Sequence, residues 1–595
     1  MTDARAEYPA RLGRWRDALA VFDRQHLWLS NGRLLAVGVT ALLLWLTLRQ
    51  TNPVSLAWLL VPIVAFGVLV VAHQRVLDRA ERARRAERWY LTAGQRLDGR
   101  WAGVARDGVQ FLEAHDYARD LDLFGHASLF QLLNTTRTEA GEATLAGWLR
   151  EGAGVDEVRA RQGAVDELRA QLDLRERIVV IAAEANASRT SQLLRWASST
   201  SVGYPIWAPW IFGACAAALV VLSIAAYVGL LPSSFVLGWL FVEAIVVWAW
   251  RRSFFAVVNH IGKPADDLAS LAELIAVIEH HRFVTPRLTA LQDALATGGT
   301  RASVEIARLG GLVSLLESST HNLFFRPLTM ALLVPEQVAV AIDRWHRVHG
   351  PAVKEWLRAI GELEALSALA IYAYEHPADP FPTLVADGPV FESVGLGHPL
   401  LPESIAVRND VTLGGAAPRV IIVSGSNMSG KSTLLRAVGI NVVLALAGAP
   451  VRAGQLRMSP LALGATLRVE DSLAEGRSRF YAEIVRIRAI VERARGPVPL
   501  LFLLDEILHG TNSHDRRIGA EAIVRALADT GAIGLVTTHD LALTELPANS
   551  KVVAVNMHFE DRLEDGRMVF DYRMRPGVVE HSNALALMRA VGLDV

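Results

Sequence analysis

The sequence predicts a mixed architecture: an α-helical core and lever region carrying two apolar helical hairpins, followed by a C-terminal α/β domain with a mainly parallel sheet. Three observations predict it. Hydrophobic residues make up 52% of the 595 and charged residues 20%, a balance too apolar for a chain wholly in water and far from that of disorder. That apolarity is concentrated in long uncharged stretches. After the turn-rich run His376-Pro377-Ala378-Asp379-Pro380-Phe381-Pro382, helical periodicity gives way to short β-branched runs alternating with helices. The 60 Lys and Arg against 61 Asp and Glu leave a formal charge of -1, so no global positive field holds a polyanion and any nucleic-acid contact is local. The single cysteine, Cys215, excludes an intramolecular disulfide and a Cys-based zinc site.

The first hairpin comprises residues 34–48, bounded by Arg33 and Arg49, and residues 53–72; the second comprises residues 204–231 and 235–250, closed by Arg251 and Arg252. About 20 apolar residues cross a hydrocarbon core of about 30 Å, so the first and fourth stretches are short. Four spans is the preferred reading, with two deep re-entrant pairs as its rival. Trp45, Trp58, Trp207, Trp210, Trp239, Trp248 and Trp250 lie in or near these stretches, where an indole sits between lipid tail and water. Charged and polar residues precede the first stretch with no evident cleavage site, which predicts a retained anchor. Arg5, Arg11, Arg14, Arg16, Arg24 and Arg33 precede the first hairpin, and Arg75, Arg79, Arg82, Arg84, Arg85 and Arg88 follow it, whereas the joining loops are nearly free of basic residues. The positive-inside rule then predicts a multi-pass inner-membrane protein with both termini and the C-terminal domain in the cytoplasm. Glu243 within the last stretch reads as a bundle-facing residue in preference to a transport site.

The predicted organisation is a cytoplasmic segment (1–33), hairpin one (34–72), a helical core-like region (73–203), hairpin two (204–250), a helical lever region (251–385) and the α/β domain (386–595). Residues 75–200 lack proline and carry apolar positions at three- and four-residue spacing, which predicts helix; residues 266–278 and 352–374 show the same pattern. In the last domain, strands are predicted at 420–423, 500–504 and 533–537, and helices at 433–447 and 519–528.

The chemistry resides in this last domain. Gly425-Ser426-Asn427-Met428-Ser429-Gly430-Lys431-Ser432 matches G-x-x-x-x-G-K-[ST] between a predicted strand and a predicted helix that takes in Thr433, the context a phosphate-binding loop requires. Glycines let several N–H groups face one phosphate chain, the helix N-terminus adds partial positive charge, Lys431 reaches β/γ oxygens, and the Ser432 hydroxyl ligates magnesium. ATP and Mg2+ are the implied cofactors. The apolar run 500–504 ends in Asp505-Glu506, a Walker B arrangement: Asp505 holds magnesium and Glu506 orients or deprotonates the attacking water. The bland alternative is that both are acids at the start of a helix. His539, at the end of the next strand, is placed to sense a γ-phosphate, although a lone loop histidine reads the same way.

These residues carry a resemblance. Residues 424–435 (SGSNMSGKSTLL), 473–484 (LAEGRSRFYAEI), 504–515 (LDEILHGTNSHD) and the stretch from Thr537 (TTHDLALTELP) resemble the ATPase domain of the MutS family, an ABC-type P-loop NTPase, over roughly residues 395–590. Gly397-His398-Pro399 resembles a motif ahead of that family's phosphate loop, and Asn556-Met557-His558 a strand whose histidine packs on adenine. More weakly, residues 128–149 and 159–168 resemble the start of the family's helical core, and residues 362–370 the end of its lever helices. The resemblance implies a homodimer through facing ATPase domains, with Ser478 completing the nucleotide site in trans; Gly476-Arg477-Ser478 ahead of an amphipathic run also reads as a helix N-cap.

Only some thirty residues precede the first apolar stretch, which leaves no room for the mismatch-reading and connector domains that the family resemblance brings to mind. The resemblance therefore implies a membrane-anchored ATPase whose nucleotide cycle moves helical arms, with DNA and the lipid bilayer as partners and weak or no mismatch specificity. The alternative is a mechanical ATPase acting on a protein or envelope partner without DNA. A transporter ranks below both, since the stretches have no polar lining.

Overall fold

A computed structural model describes residues 3–48, 55–112, 115–183, 190–261, 265–296, 299–321, 326–426, 428–468, 479–508, 511–539, 541–545, 553–564 and 567–579. The chain divides into two compact units, Met1–Arg100 with Glu176–Glu184, and Trp101–Arg175 with Ala185–Val595.

In the first unit, helices α1 (Ala4–Leu48) and α2 (Leu60–Leu97) form an antiparallel hairpin far longer than its apolar tip. The polar part stays helical because aromatic packing and ion pairs staple it. Tyr8 packs on Trp89 and Tyr90, with ring centroids 6.2 and 5.6 Å apart. Arg11 pairs with Glu7 at 2.7 Å and with Glu176 at 3.1 Å. Nearer the apolar part, His73 lies between His26 (2.9 Å) and Arg33 (3.0 Å). Much of the basic run on α2 is spent within the hairpin: Arg84 faces Asp23 and Glu81, Arg85 and Arg88 face Glu81, and Arg16 on α1 pairs with Glu87.

The helical part of the second unit contains α3 (Leu129–Leu133), α4 (Glu139–Arg150), α5 (Val155–Arg169) and α6 (Leu172–Ala182), whose last turns belong to the first unit. It continues through α7 (Thr190–Ala197), α8 (Ala208–Tyr227), α9 (Ser234–Ile261), α10 (Ala265–His280), α11 (Pro286–Ala294), α12 (Ala302–His321), α13 (Arg326–Ala331) and α14 (Val334–Glu375). The segment between α2 and α3, predicted helical, is mostly turns. Gly108 there has φ 68°, and a Cβ on it would sit 2.6 Å from the Phe130 ring, so close packing replaces the helix. Two buried carboxylates on α14 fasten other elements to it. Asp343 accepts the N–H groups of Val202, Gly203 and Tyr204 at 2.8, 3.3 and 3.1 Å, just ahead of α8. Glu364 accepts the N–H groups of Arg137 and Thr138 and the Thr138 hydroxyl at the start of α4.

Among the described residues, four helical segments are long and apolar enough to cross a membrane: Ala4–Leu48, Ala57–Leu97, Ala208–Tyr227 and Ser234–Val258. In the most apolar window of each, only 6, 11, 17 and 6% of residues are buried, so the apolar surface faces outward.

The C-terminal region has two sheets. Strands β1 (Thr383–Leu384), β2 (Val390–Leu396), β3 (Asn409–Gly414) and β5 (Gln455–Met458) form the smaller one in the order β1-β5-β2-β3. The larger contains β4 (Val420–Ser424), β6 (Ala462–Thr466), β7 (Leu500–Asp505), β8 (Ile533–Thr538), β9 (Ala554–Glu564) and β10 (Arg567–Pro576). Its order is β10-β9-β4-β8-β7-β6, parallel except for the β10 edge. Among the described residues the domain also contains helices α15 (Lys431–Ala447), α16 (Arg479–Arg493) and α17 (Ser513–Asp529). Residues 420–424 are buried without exception, as in a central parallel strand.

Candidate nucleotide site

Parallel pairing brings the carboxyl ends of β4, β7 and β8 to one edge: Ser424 lies opposite Thr538, and Asp505 opposite Thr537. Ligands bind at such an edge in open α/β sheets because the loops there are free to vary. The chain leaves β4 through Gly425, where φ is 147° and a Cβ would stand 3.0 Å from the Phe559 carbonyl. It enters α15 through Gly430, with φ 105°. Between them, Met428 also has positive φ and points out, 83% exposed. Asn427 lies outside the described residues. The hydroxyls of Ser426 and Ser429 are buried and have no hydrogen-bond partner among the described residues. Two orphaned hydroxyls at a helix N-terminus suit an anionic ligand that accepts from them.

Lys431, 4% exposed, opens α15. Its Nζ donates to the carbonyls of Gly425 (2.9 Å) and Ser426 (2.8 Å) and stands 3.5 Å from Glu506 Oε1. Burial pulls its pKa down, and the charges of Glu506 and Asp505 act against that. Asp505 accepts the Thr537 hydroxyl. The Glu506 N–H donates to the same hydroxyl oxygen at 3.0 Å and to the Thr537 carbonyl at 3.3 Å. Glu506 has φ 48°, uncommon for a residue with a Cβ, and its carboxylate faces Lys431 and His539 Nε2. Lys431, Glu506 and His539, distant in sequence, thus meet.

A cavity of about 580 Å³ opens beside them, lined by Gly430, Lys431, Ser432, Thr433 and Glu506, a size typical of small-molecule sites. Its walls include His398 and Tyr572, which sequence reasoning did not assign to the site. His398 Nδ1 accepts the Leu400 N–H at 3.2 Å, and burial with Arg436 nearby pushes the ring down to about 4, so it is neutral at pH 7. Its signal was the Gly397-His398-Pro399 motif. Tyr572 had none, since it arrives on the edge strand β10. His558 lies opposite Ser424 on β9, but its Nδ1 faces the Gly577 carbonyl at 3.2 Å and it is not among the cavity-lining residues. Ser478 lies outside the described residues.

Residues 421–594 match the family described as MutS domain V. The chain is 35% identical over 266 residues to a DNA mismatch repair protein MutS of Natronomonas pharaonis, covering 44% of this chain and 29% of that protein. It is 33% identical over 317 residues to DNA mismatch repair protein MutS 2 of Halobacterium salinarum, covering 52% of this chain and 32% of that one. The match therefore spans less than a third of each relative.

Proposed function

We propose that this chain, whose residues 421–594 match MutS domain V, is a membrane-anchored, Mg2+-dependent ATP hydrolase of the MutS family whose nucleotide cycle moves its helical arms, with DNA as the polymer acted on and little or no mismatch specificity. The convergence of Lys431, Glu506 and His539 beside a cavity at the strand ends carries this reading. With ATP as the substrate, Ser432 and Asp505 would hold a magnesium ion, which would supply charge neutralisation at the phosphate chain. Lys431 exchanges its loop carbonyls for phosphate oxygens. The Ser426 and Ser429 hydroxyls donate to the same chain. Glu506 orients and deprotonates the attacking water, while His539 restrains the Glu506 carboxylate. Two ATPase domains face one another, each contributing Ser478 to the other's nucleotide. The outward-facing apolar helices and the arginines flanking them support anchoring in the inner membrane, with the ATPase domain in the cytoplasm.

One observation favours a second reading without DNA: Arg84, Arg85 and Arg88 of α2 all face Glu81 of their own hairpin, and Arg84 also Asp23, which offsets part of the charge a phosphate backbone would need. ATPase activity of the detergent-purified protein with and without homoduplex, mismatched and branched DNA, at two salt concentrations, separates the two. DNA stimulation that falls steeply with salt supports the first reading; stimulation by lipid or a membrane partner alone supports the second. In either case Glu506→Gln binds ATP and hydrolyses it about 10²–10⁴ times more slowly. Normal turnover in that variant overturns the assignment of Glu506.

A further inference from the structure

We propose that Glu483 is a positioning residue for hydrolysis: it holds the turn from Glu506 to Leu508 in the conformation that aims the Glu506 carboxylate. This rests on the reading that Glu506 orients the attacking water. Two residues with a Cβ sit in the left-handed region within that turn, Glu506 at φ 48° and Leu508 at φ 63°. Such a backbone persists only where its surroundings over-determine it. At Glu506 the restraint is Thr537, which takes the N–H on its hydroxyl and carbonyl oxygens. At Leu508 the restraint is Glu483, whose Oε1 accepts the Leu508 N–H at 2.6 Å.

Glu483 is buried and belongs to α16, on a different stretch of chain from the phosphate loop and from β7. It is not among the residues lining the nucleotide cavity, so its influence on the chemistry passes through the turn. The Leu508 side chain is buried in the domain core, and a Cβ on Gly519 would stand 2.7 Å from its Cδ1, so the turn is pressed from the α17 side as well. Helix α16 is itself anchored three residues further on, where Arg486 donates to the Asp120 carboxylate and to the Arg468 carbonyl. A line of direct contacts therefore runs from Asp120 through α16 and Glu483 to the backbone two residues beyond Glu506. Without an acceptor at Glu483, the buried Leu508 N–H has lost its partner, and the turn relaxes away from the left-handed region. A displacement of the reacting group by about 1 Å lowers turnover by about a hundredfold without removing a nucleotide contact.

The test uses full-length protein in detergent with Mg2+, measuring kcat and KM for ATP and the Kd of a fluorescent non-hydrolysable ATP analogue. Glu483→Ala, and Glu483→Asp, which retracts the acceptor by one methylene, lower kcat about a hundredfold and leave Kd within about threefold. Glu483→Gln, which keeps an oxygen at the same reach, recovers most of the rate. The Asp and Gln variants carry the comparison alone where the Ala variant fails to accumulate. Wild-type turnover in the Asp variant overturns the proposal, as does a Kd that rises in step with the fall in kcat. No ATP hydrolysis by the wild type instead removes the hydrolase reading itself, and this inference with it.

Discussion

Replacing Asp120 by alanine should loosen one corner of the C-terminal α/β domain by a calculable amount. The carboxylate is fully buried and accepts the N–H groups of Leu467 at 2.8 Å and Arg468 at 2.7 Å, together with the guanidinium of Arg486. Leaving a fully buried N–H unpaired costs about 1–3 kcal/mol, but Leu467 is half-buried and Arg468 exposed, so each of these two costs about 1 kcal/mol, at the low end of that range. Arg486 is a quarter exposed and keeps the Arg468 and Asp116 carbonyls at 2.9 and 3.1 Å, so it rehydrates and adds little. The sum is about 2 kcal/mol, or roughly one and a half decades in the local opening constant. A chain of several domains has no single unfolding transition, so the assay is hydrogen exchange read by mass spectrometry at residues 467–468. Exchange there should accelerate by up to about thirtyfold, while the β4 and β8 amides stay protected; Asp120→Asn, which keeps one acceptor oxygen, should fall between. Unchanged exchange at residues 467–468 in Asp120→Ala would refute the reasoning, because the carboxylate would then hold nothing that water cannot.

Two further outcomes follow from buried groups. His398 has a folded pKa of about 4 against 6.5 unfolded, so below pH 6.5 the unfolded chain takes the proton first and stability is lost as pH falls towards 4. Between pH 6.5 and 5 this amounts to about 1.5 kcal/mol, seen as a pH slope of domain stability that His398→Asn reduces by that amount. Asp379 and Arg452 form a buried pair with both carboxylate oxygens 3.2 Å from Nη1. Asp379→Ala should destabilise the smaller sheet by about 3 kcal/mol, and Asp379→Leu combined with Arg452→Met should recover part of it in a double-mutant cycle of β2 and β5 amide protection.

The parts of the site legible in the sequence are those built locally. Gly425 to Ser432 needs only a strand before it and a helix after it, and both appear as β4 and α15. Asp505-Glu506 is announced by the apolar run of β7. The parts that were not legible depend on register. Thr537 meets Asp505 because β7 and β8 pair in parallel, and a threonine in a β-rich run carries no sign of that. Tyr572 reaches the cavity across an antiparallel hairpin, and Glu483 reaches the Glu506 turn from a helix. The fold shows the same division. Long helices followed their periodicity, as in α10 and α14, whereas the predicted helix between α2 and α3 failed because aromatic packing around Phe130 and glycines in left-handed turns outweigh local preference.

Helix α14 is 42 residues long, about 60 Å end to end, and is tied near one end through Asp343 and farther along through Glu364. Between those two moorings lies Pro351, the proline inside the helix, which has no N–H to give to the preceding turn. A rod clamped at two stations with one weak rung between them transmits push and twist faithfully except at that rung. Pro351 is therefore the point between the α8–α9 attachment and the α4 corner at which bending this helix costs least.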